Sequence, residues 1–580
     1  MSFRPGRREA WLSAGAVFAL ALAVRAVAAA TLSFPVPEDT AYYAGVARNL
    51  VEGRGLVSDA LWSYQTPPLE VPRAAFEVWL PLPSLLAAVP IWLAGAANWF
   101  RAAQVFSVVV SAIGAALAWQ LGADVAAEMK LPIGRARTLA VGTGVVACLL
   151  GPLVVYGMLP DSTALFAALS LAACLLMTRI GARTPEGGRP AEGGRVPDRP
   201  AGGGRPFDRL LGRLFDRRLV ALGLLIGFAG LTRSEAVWLG LAWVVVVWRW
   251  TLTPAGERPS RLERLRLVAV PAAVAALIFA PWAVRDWLAF GSPLPGQTLA
   301  NALSVNPTDI YAYQDQPTLA NYLAQGPAAL IGMRVTGIVH NLVDVLIVPG
   351  FPIGFIGLLA LPNCARLHAL RPLVLLAVIT FLVTSLVFPV STTWGTFLHA
   401  AGAIYVLLII SCLVALDSFV AWVGRLRHWW RPVAWLGPAL ATAVVVPLMF
   451  VSVVSLDRGA DTTRARFDAL PAALDRAGVP LAANAPIITD DPIWLAESAH
   501  VTALALPEES PESVLALARH FGSRLLVIVQ TDDGGEWPAI LDDGAPAAQC
   551  FREVRLTDNS GKPPSQGSPL FQIRAFRIVC

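Results

Sequence analysis

Eleven apolar stretches dominate the chain, at 11–33, 101–122, 138–158, 162–180, 218–232, 235–250, 266–285, 335–360, 371–389, 395–421 and 434–455. A helix needs about 20 apolar residues to cross a bilayer. Within lipid, only helices and closed barrels satisfy their own backbone groups. The pattern predicts an all-α polytopic membrane protein with about 11 transmembrane helices. Composition agrees. Of 580 residues 56% are hydrophobic and only 15% charged, against about 25% charged in soluble domains. A soluble globular chain and a disordered one are both excluded.

The connecting segments set the expected topology. Segment 78–97 is apolar too, but Pro81, Pro83 and Pro90 interrupt it, so it reads as an interfacial or re-entrant helix. With eleven spans and a cytoplasmic N-terminus, 26 basic residues fall on the inner side, ten of them in the 179–218 loop. The outer loops before the C-terminal region hold six: Arg48, Arg54, Arg73, Arg233, Arg285 and Arg334. That is the positive-inside asymmetry, and it puts residues after about 456 on the outer, extracytoplasmic side of the membrane. It also makes the arginines topology signals rather than a nucleic-acid surface. Met1–Ala10 is basic and an apolar run follows without a small-residue cleavage site, so the first span reads as retained.

Two domains are expected, a transmembrane domain over 1–455 and an extracytoplasmic α/β domain over 456–580. A long first outer loop covers 34–100. Segment 183–208 repeats GGR among Gly, Pro and Arg, the composition of a disordered cytoplasmic linker or of an arm drawn to anionic lipid. In the C-terminal region "APIITDD" and "SRLLVIV" read as buried strands, "SPESVLALARHFG" as a capped helix ending at Gly522, and "FREVRL" and "FQIRAFRIV" as two late strands. If the late strands pair antiparallel, Cys550 and Cys580 fall at one end, as a disulfide or as two thiols. Cys148, Cys174 and Cys412 read as apolar filler, and no CxxC or zinc spacing occurs.

Charges beside an apolar bundle are functional candidates by default. Glu38 and Asp39 stand where the first span leaves the membrane, followed by Tyr42, Tyr43 and Arg48, with Glu77 and Trp79 further on. A carboxylate at that face can act as general base on an incoming hydroxyl. The structural alternatives are a helix N-cap for the two acids, an interfacial aromatic belt for the tyrosines, and an Arg48–Glu52 pair four residues apart. Asp161 opens the second outer loop as a second acid or as an N-cap before "STALFAALS". Arg233 and Arg285 stand at outer helix ends. Their alternatives are a pair with Glu235 and snorkelling. His399 begins the tenth span. His340 and Asp344, four apart, are weak evidence for a metal. "TDDP" (Asp490, Asp491) and "TDDGG" (Asp532, Asp533) read as turns.

The run Asp39-Thr-Ala-Tyr-Tyr followed by "VARNLVEGRGL" resembles the first-loop signature of membrane glycosyltransferases of the GT-C fold, family 39 type, which includes protein O-mannosyltransferases and aminoarabinose lipid A transferases. "WLPLPSLLAAVP", "GLLIGFAGLTRSEAVWL", "APWAVRDWLAFGSPLP" and "GTFLHAAGAIYVLL" resemble later family segments in the same order, over roughly residues 10–420. The resemblance implies a polyprenyl-phosphate-linked sugar donor (undecaprenyl in a bacterial host) and transfer with inversion on the non-cytoplasmic face. The acceptor would be a lipid, polysaccharide or protein hydroxyl. Asp39 matches the catalytic aspartate, and Arg233 and Arg285 match arginines that would meet the lipid phosphate. Thr40 stands where many relatives have glutamate, with Glu38 preceding instead, and Glu77-Val-Trp79 replaces a Lys/His-Pro-Pro segment. Carboxylate and phosphate oxygens could hold a divalent cation, though the resemblance argues mildly against needing one. The rival readings are a transporter or lipid flippase, which would place charges at the bilayer midplane and show repeat symmetry, and a non-catalytic membrane scaffold in which Asp39 is dispensable.

Overall fold

The computed structural model describes residues 7–181, 216–249, 259–295, 297–429, 433–530, 536–558 and 560–580. The linker segment 183–208 and Asp532 and Asp533 lie outside these. The helices that build the frame are α1 (Arg7–Thr31), α2 (Glu38–Val51), α3 (Leu82–Ala94), α4 (Trp99–Glu128), α5 (Ile133–Leu149), α6 (Gly151–Met158), α7 (Thr163–Gly181), α8 (Arg217–Gly230), α9 (Ala236–Arg249), α10 (Arg261–Phe290), α11 (Gly326–Leu346), α12 (Ile353–Cys364), α13 (Arg371–Leu386), α14 (Thr396–Ala400), α15 (Gly402–Leu426), α16 (Leu436–Arg476), α17 (Pro492–Ala499) and α18 (Pro511–Phe521).

Among the described residues, α1, α4, α7, α10, α11, α15 and α16 are each long and apolar enough to cross a membrane, and the pair α5–α6, bent by 55°, makes an eighth. The apolar helices α3, α9, α12 and α13 are shorter. The chain is a multi-pass membrane protein. The 13 residues of α3 span only about 20 Å at 1.5 Å per residue, short of the bilayer core, and α3 lies against α2 and α4. The expected continuous span 335–360 is instead two helices, α11 and α12. Pro349-Gly350-Phe351-Pro352 breaks it, with Gly350 at φ +72°. The expected 395–421 span also starts later, at Gly402, so His399 sits on the short α14 ahead of it. The last span runs on past residue 455 as one helix of 41 residues.

Small residues let these helices approach closely, which lipid-embedded packing favours. A Cβ on Gly223 of α8 would come within 2.7 Å of the Pro271 carbonyl oxygen on α10. Both glycines of that contact, Gly223 and Gly227, belong to the "GLLIGFAGLTR" segment.

The strands are β1 (Val57–Ser58), β2 (Ala60–Leu61), β3 (Arg73–Ala74), β4 (Ile487–Thr489), β5 (Ala503–Ala505), β6 (Leu525–Ile528), β7 (Phe551–Val554) and β8 (Arg574–Ile578). β1 and β3 pair within the first loop. The other six form one sheet in the order β2-β5-β4-β6-β8-β7. β2 to β6 are parallel and β8 and β7 antiparallel. The four buried residues of β6, Leu525–Ile528, suit a strand covered on both faces. α18 ends at Gly522 with φ +71°, the left-handed position that favours glycine. Cys550 and Cys580 form a disulfide at the end of the β7–β8 pair. The edge strand β2 comes from the first loop, with Leu61 opposite Leu504. The C-terminal sheet therefore shares a core with the segment that follows α1.

Candidate active site

Helix α2 starts directly after α1, with Pro37 before its first residue. Glu38 and Asp39 thereby fall in its first turn, where the helix dipole favours negative charge. Their side chains diverge. The Asp39 carboxylate keeps about a quarter of its surface exposed, and its Oδ2 lies 3.8 Å from His399 Nε2. Burial pushes its pKa up to about 6, against the pull of the Arg233 guanidinium. His399 is held from behind, its Nδ1 lying 2.7 Å from Thr163 Oγ1 and its ring meeting Tyr156 edge-on at 5.2 Å. Burial, and next to it the Arg233 charge, lower its pKa, so the imidazole is neutral.

Asp161 and Arg233 complete this group. Asp161 is 1% exposed. Its Oδ1 accepts from the Thr163 amide at 2.8 Å, which caps α7 as one sequence alternative expects, while its Oδ2 is buried without a hydrogen-bond partner. Burial first, and the nearby Asp39 charge, raise its pKa to about 7. Arg233 stands in the turn between α8 and α9. Its Nη1 donates to Ser162 Oγ at 2.9 Å and its Nη2 to Glu235 Oε1 at 2.6 Å, while Nε is buried without a partner. Tyr43 feels Arg233, Asp39 and Asp161, and burial raises its phenol pKa. Five sequence candidates from four separate segments thus converge: Asp39, Tyr43, Asp161, Arg233 and His399.

The remaining candidates fall into two other groups. Tyr42, Glu77 and Arg285 belong to an aromatic cluster beside the first. Tyr42 OH accepts from the Phe76 amide at 2.8 Å, and its ring lies 4.5 Å from that of Trp79. Glu77 pairs with Arg73 at 3.2 Å, both side chains 2% exposed or less. Arg285 bonds Asp286 at 3.0 Å and lies over the Trp282 ring at 4.7 Å. Glu38 and Arg48 instead face the C-terminal region. Glu38 Oε1 accepts from the amides of Ile493 and Trp494 at 3.1 and 3.3 Å, at the N-terminus of α17. Arg48 Nη1 meets Glu497 Oε2 at 2.9 Å, while Glu52 is 4.0 Å away.

The sequence reading missed Ser162, Thr163 and Tyr156, which hold Arg233 and His399. The contiguous polar run Asp161-Ser162-Thr163 between two apolar helices was the available signal. It also missed Tyr311, close enough to Glu38, Asp491 and Asp39 for their charges to bear on it. Among the described residues no three His, Cys, Asp or Glu side chains are grouped to hold a metal ion.

No protein-family model matches the sequence, and no curated protein matches it. Solved structures do. ArnT from Cupriavidus metallidurans bound to undecaprenyl phosphate superposes over 97% of each chain, with a TM-score of 0.52 and 14% identity. The same protein in its apo state gives 0.50 over the same shares. The fold is the GT-C fold. At 14% identity it is the architecture that is shared. The archaeal oligosaccharyltransferase AglB from Archaeoglobus fulgidus, in complex with an inhibitory peptide and a dolichol-phosphate, is a more distant match. It has a TM-score of 0.44 and 11% identity, over 95% of this chain and 74% of that one. Within the GT-C fold the Asp39 group occupies the junction where the first loop, the α6–α7 turn, the α8–α9 turn and α14 meet.

Proposed function

We propose that the protein is a membrane glycosyltransferase that moves a sugar from a polyprenyl-phosphate donor to an acceptor hydroxyl with inversion. The observation that carries this reading is Asp39. It is a partly exposed carboxylate with a pKa near 6, close to an arginine whose Nε lacks a partner. Ionised, Asp39 takes the proton of the acceptor hydroxyl as that oxygen attacks the anomeric carbon. The bond from that carbon to the phosphate oxygen breaks, and its electron pair leaves on the lipid phosphate. Arg233, and Arg285 from the neighbouring cluster, stabilise the departing anion, since a planar guanidinium can bind two phosphate oxygens. Asp161 and His399 shape the field around Asp39. The undecaprenyl phosphate bound to the ArnT structure supports a polyprenyl carrier. The arginine asymmetry supports an outer position for this face and for the C-terminal sheet. A lipid-linked donor then enters sideways from the bilayer and a polar acceptor from the aqueous side.

The test compares wild type with Asp39→Asn in purified membranes, using a panel of radiolabelled polyprenyl-phosphate sugars and the host's envelope fractions. Transfer by wild type and silence of a folded Asp39→Asn protein are expected, and the active panel member names the donor. Equal transfer by both would remove Asp39 from the chemistry. Transfer by neither, with lipid flux across vesicles, would favour the flippase reading.

A further inference from the structure

The Arg25 guanidinium lies inside the helix bundle, 1% exposed, on the membrane-spanning α1. A cation at such a place is expensive, and among the described residues no carboxylate pairs with it. Its donors go elsewhere. Nε bonds Ser111 Oγ at 2.6 Å, Nη1 the Cys148 carbonyl at 3.1 Å and Nη2 the Ala147 carbonyl at 3.1 Å. These two carbonyls end α5, just before the 55° bend into α6. Residue 152, four beyond Cys148, is proline, which has no N–H to offer that carbonyl. Arg25 supplies the missing donor, and its charge faces the negative end of the α5 dipole. Gly157 on α6 completes the fit: a Cβ there would lie 2.8 Å from Arg25 Nε and 2.5 Å from Ser111 Oγ.

Helix α6 carries Tyr156, which meets the His399 ring, and leads to Asp161 and Thr163. A cavity of about 30 Å³ lies against this segment, with Arg25, Ser111, Tyr156, Thr163 and Tyr405 in its lining. We propose that Arg25 is a positioning residue for the transfer site: it bridges the break between α5 and α6 and so fixes where α6 presents Tyr156 and the Asp161 segment to His399 and Asp39. The proposal rests on the glycosyl-transfer reading for its catalytic consequence, not for its geometry.

The full-length protein in lipid nanodiscs tests it with Arg25→Met, Arg25→Lys and Gly157→Ala. Gly157→Ala keeps the guanidinium but crowds its seat, so it decides if Arg25→Met fails to fold. Per folded molecule, Arg25→Met and Gly157→Ala should lower kcat by about 100-fold, the scale of an ångström-sized misplacement. KM for the donor should be unchanged, the acid limb of the kcat–pH profile should move, and Arg25→Lys should recover part of the rate. Loss explained wholly by a smaller folded fraction, with kcat and pH profile of the remainder unchanged, would overturn the proposal. Hydrogen exchange at 150–163 gives a readout without a substrate. It should rise in both crowded and truncated variants while 136–146 stays protected, and wild-type exchange in both would overturn the proposal. Should wild type transfer from no donor, the glycosyl-transfer reading fails while exchange still decides the role of Arg25 in the helix break.

Discussion

Two carboxylate–arginine groups sit side by side in and beside the first loop, and they are built to opposite ends. Arg73 and Glu77 form a closed pair. Arg73 also donates to the carbonyls of Thr66 and Pro68, the Phe290 ring lies 5.1 Å from its guanidinium, and neither side chain is more than 2% exposed. Asp39 and Arg233 do not bond each other. Arg233 is turned toward Ser162 and Glu235, and Asp39 is left a quarter exposed, with the neutral His399 ring 3.8 Å away. A buried carboxylate bonded directly to its guanidinium is architecture. A carboxylate nearer the surface, with no guanidinium bonded to it, keeps a free face beside its raised pKa, which is what a base for an incoming hydroxyl requires.

The largest effects should separate the two groups. Arg73→Met strands the Glu77 carboxylate, whose Oε2 already lacks a partner. Breaking one side of a buried pair costs about 3–5 kcal/mol. Chemical denaturation in detergent should show that loss for Arg73→Met and essentially none for Asp39→Asn, whose carboxylate burial already disfavours. If Asp39→Asn were the destabilised variant, the distinction between closed and open groups would be wrong.

The next effect is on pH. With Asp39 near 6, the rate should be level above that value and fall tenfold per unit below it, as the base is protonated. Arg233→Gln removes the charge that favours the carboxylate, so the midpoint should move to higher pH. A pH series of kcat/KM for both proteins checks this, and an unmoved midpoint would detach Arg233 from Asp39.

Much of this site could be read from the sequence because its parts are charges at the ends of apolar runs. Asp39, Asp161, Arg233 and His399 are costly near lipid and therefore stand out one by one. What could not be read is pairing at long range. Nothing local says that the two residues of β2 join a sheet more than 400 positions later, or that Glu38 accepts from the first amides of α17. Arg25 escaped for the same reason, since its partners Ser111, Ala147 and Cys148 lie on other helices. The break at Pro349–Pro352 was legible but was outweighed by the apolar run around it.

Between the closed pair and the open acid stands a third group, Arg48 and Glu497, which joins α2 to α17. Their contact is 2.9 Å, with the side chains 6% and 8% exposed, and a Cβ on Gly45 would strike Glu497 Oε1 at 2.2 Å. The fit brings the carboxylate hard against the backbone of α2, and burial raises its pKa from 4.5 to about 7. Arg48 pulls it back most, Asp59 and Glu52 push it up, and Arg54 lowers it. In the unfolded chain the same group titrates near 4.5, so between 4.5 and 7 the folded state holds a proton that the unfolded state has released. Stability from this group is therefore fullest below 4.5, falls as pH rises to about 7, and is level above. The slope is at most about 1.4 kcal/mol per pH unit. Glu497→Gln cannot titrate and should flatten that part of the stability–pH curve. A slope unchanged in Glu497→Gln would mean that the Arg48 charge holds Glu497 ionised throughout, making this junction a second closed pair like Arg73–Glu77.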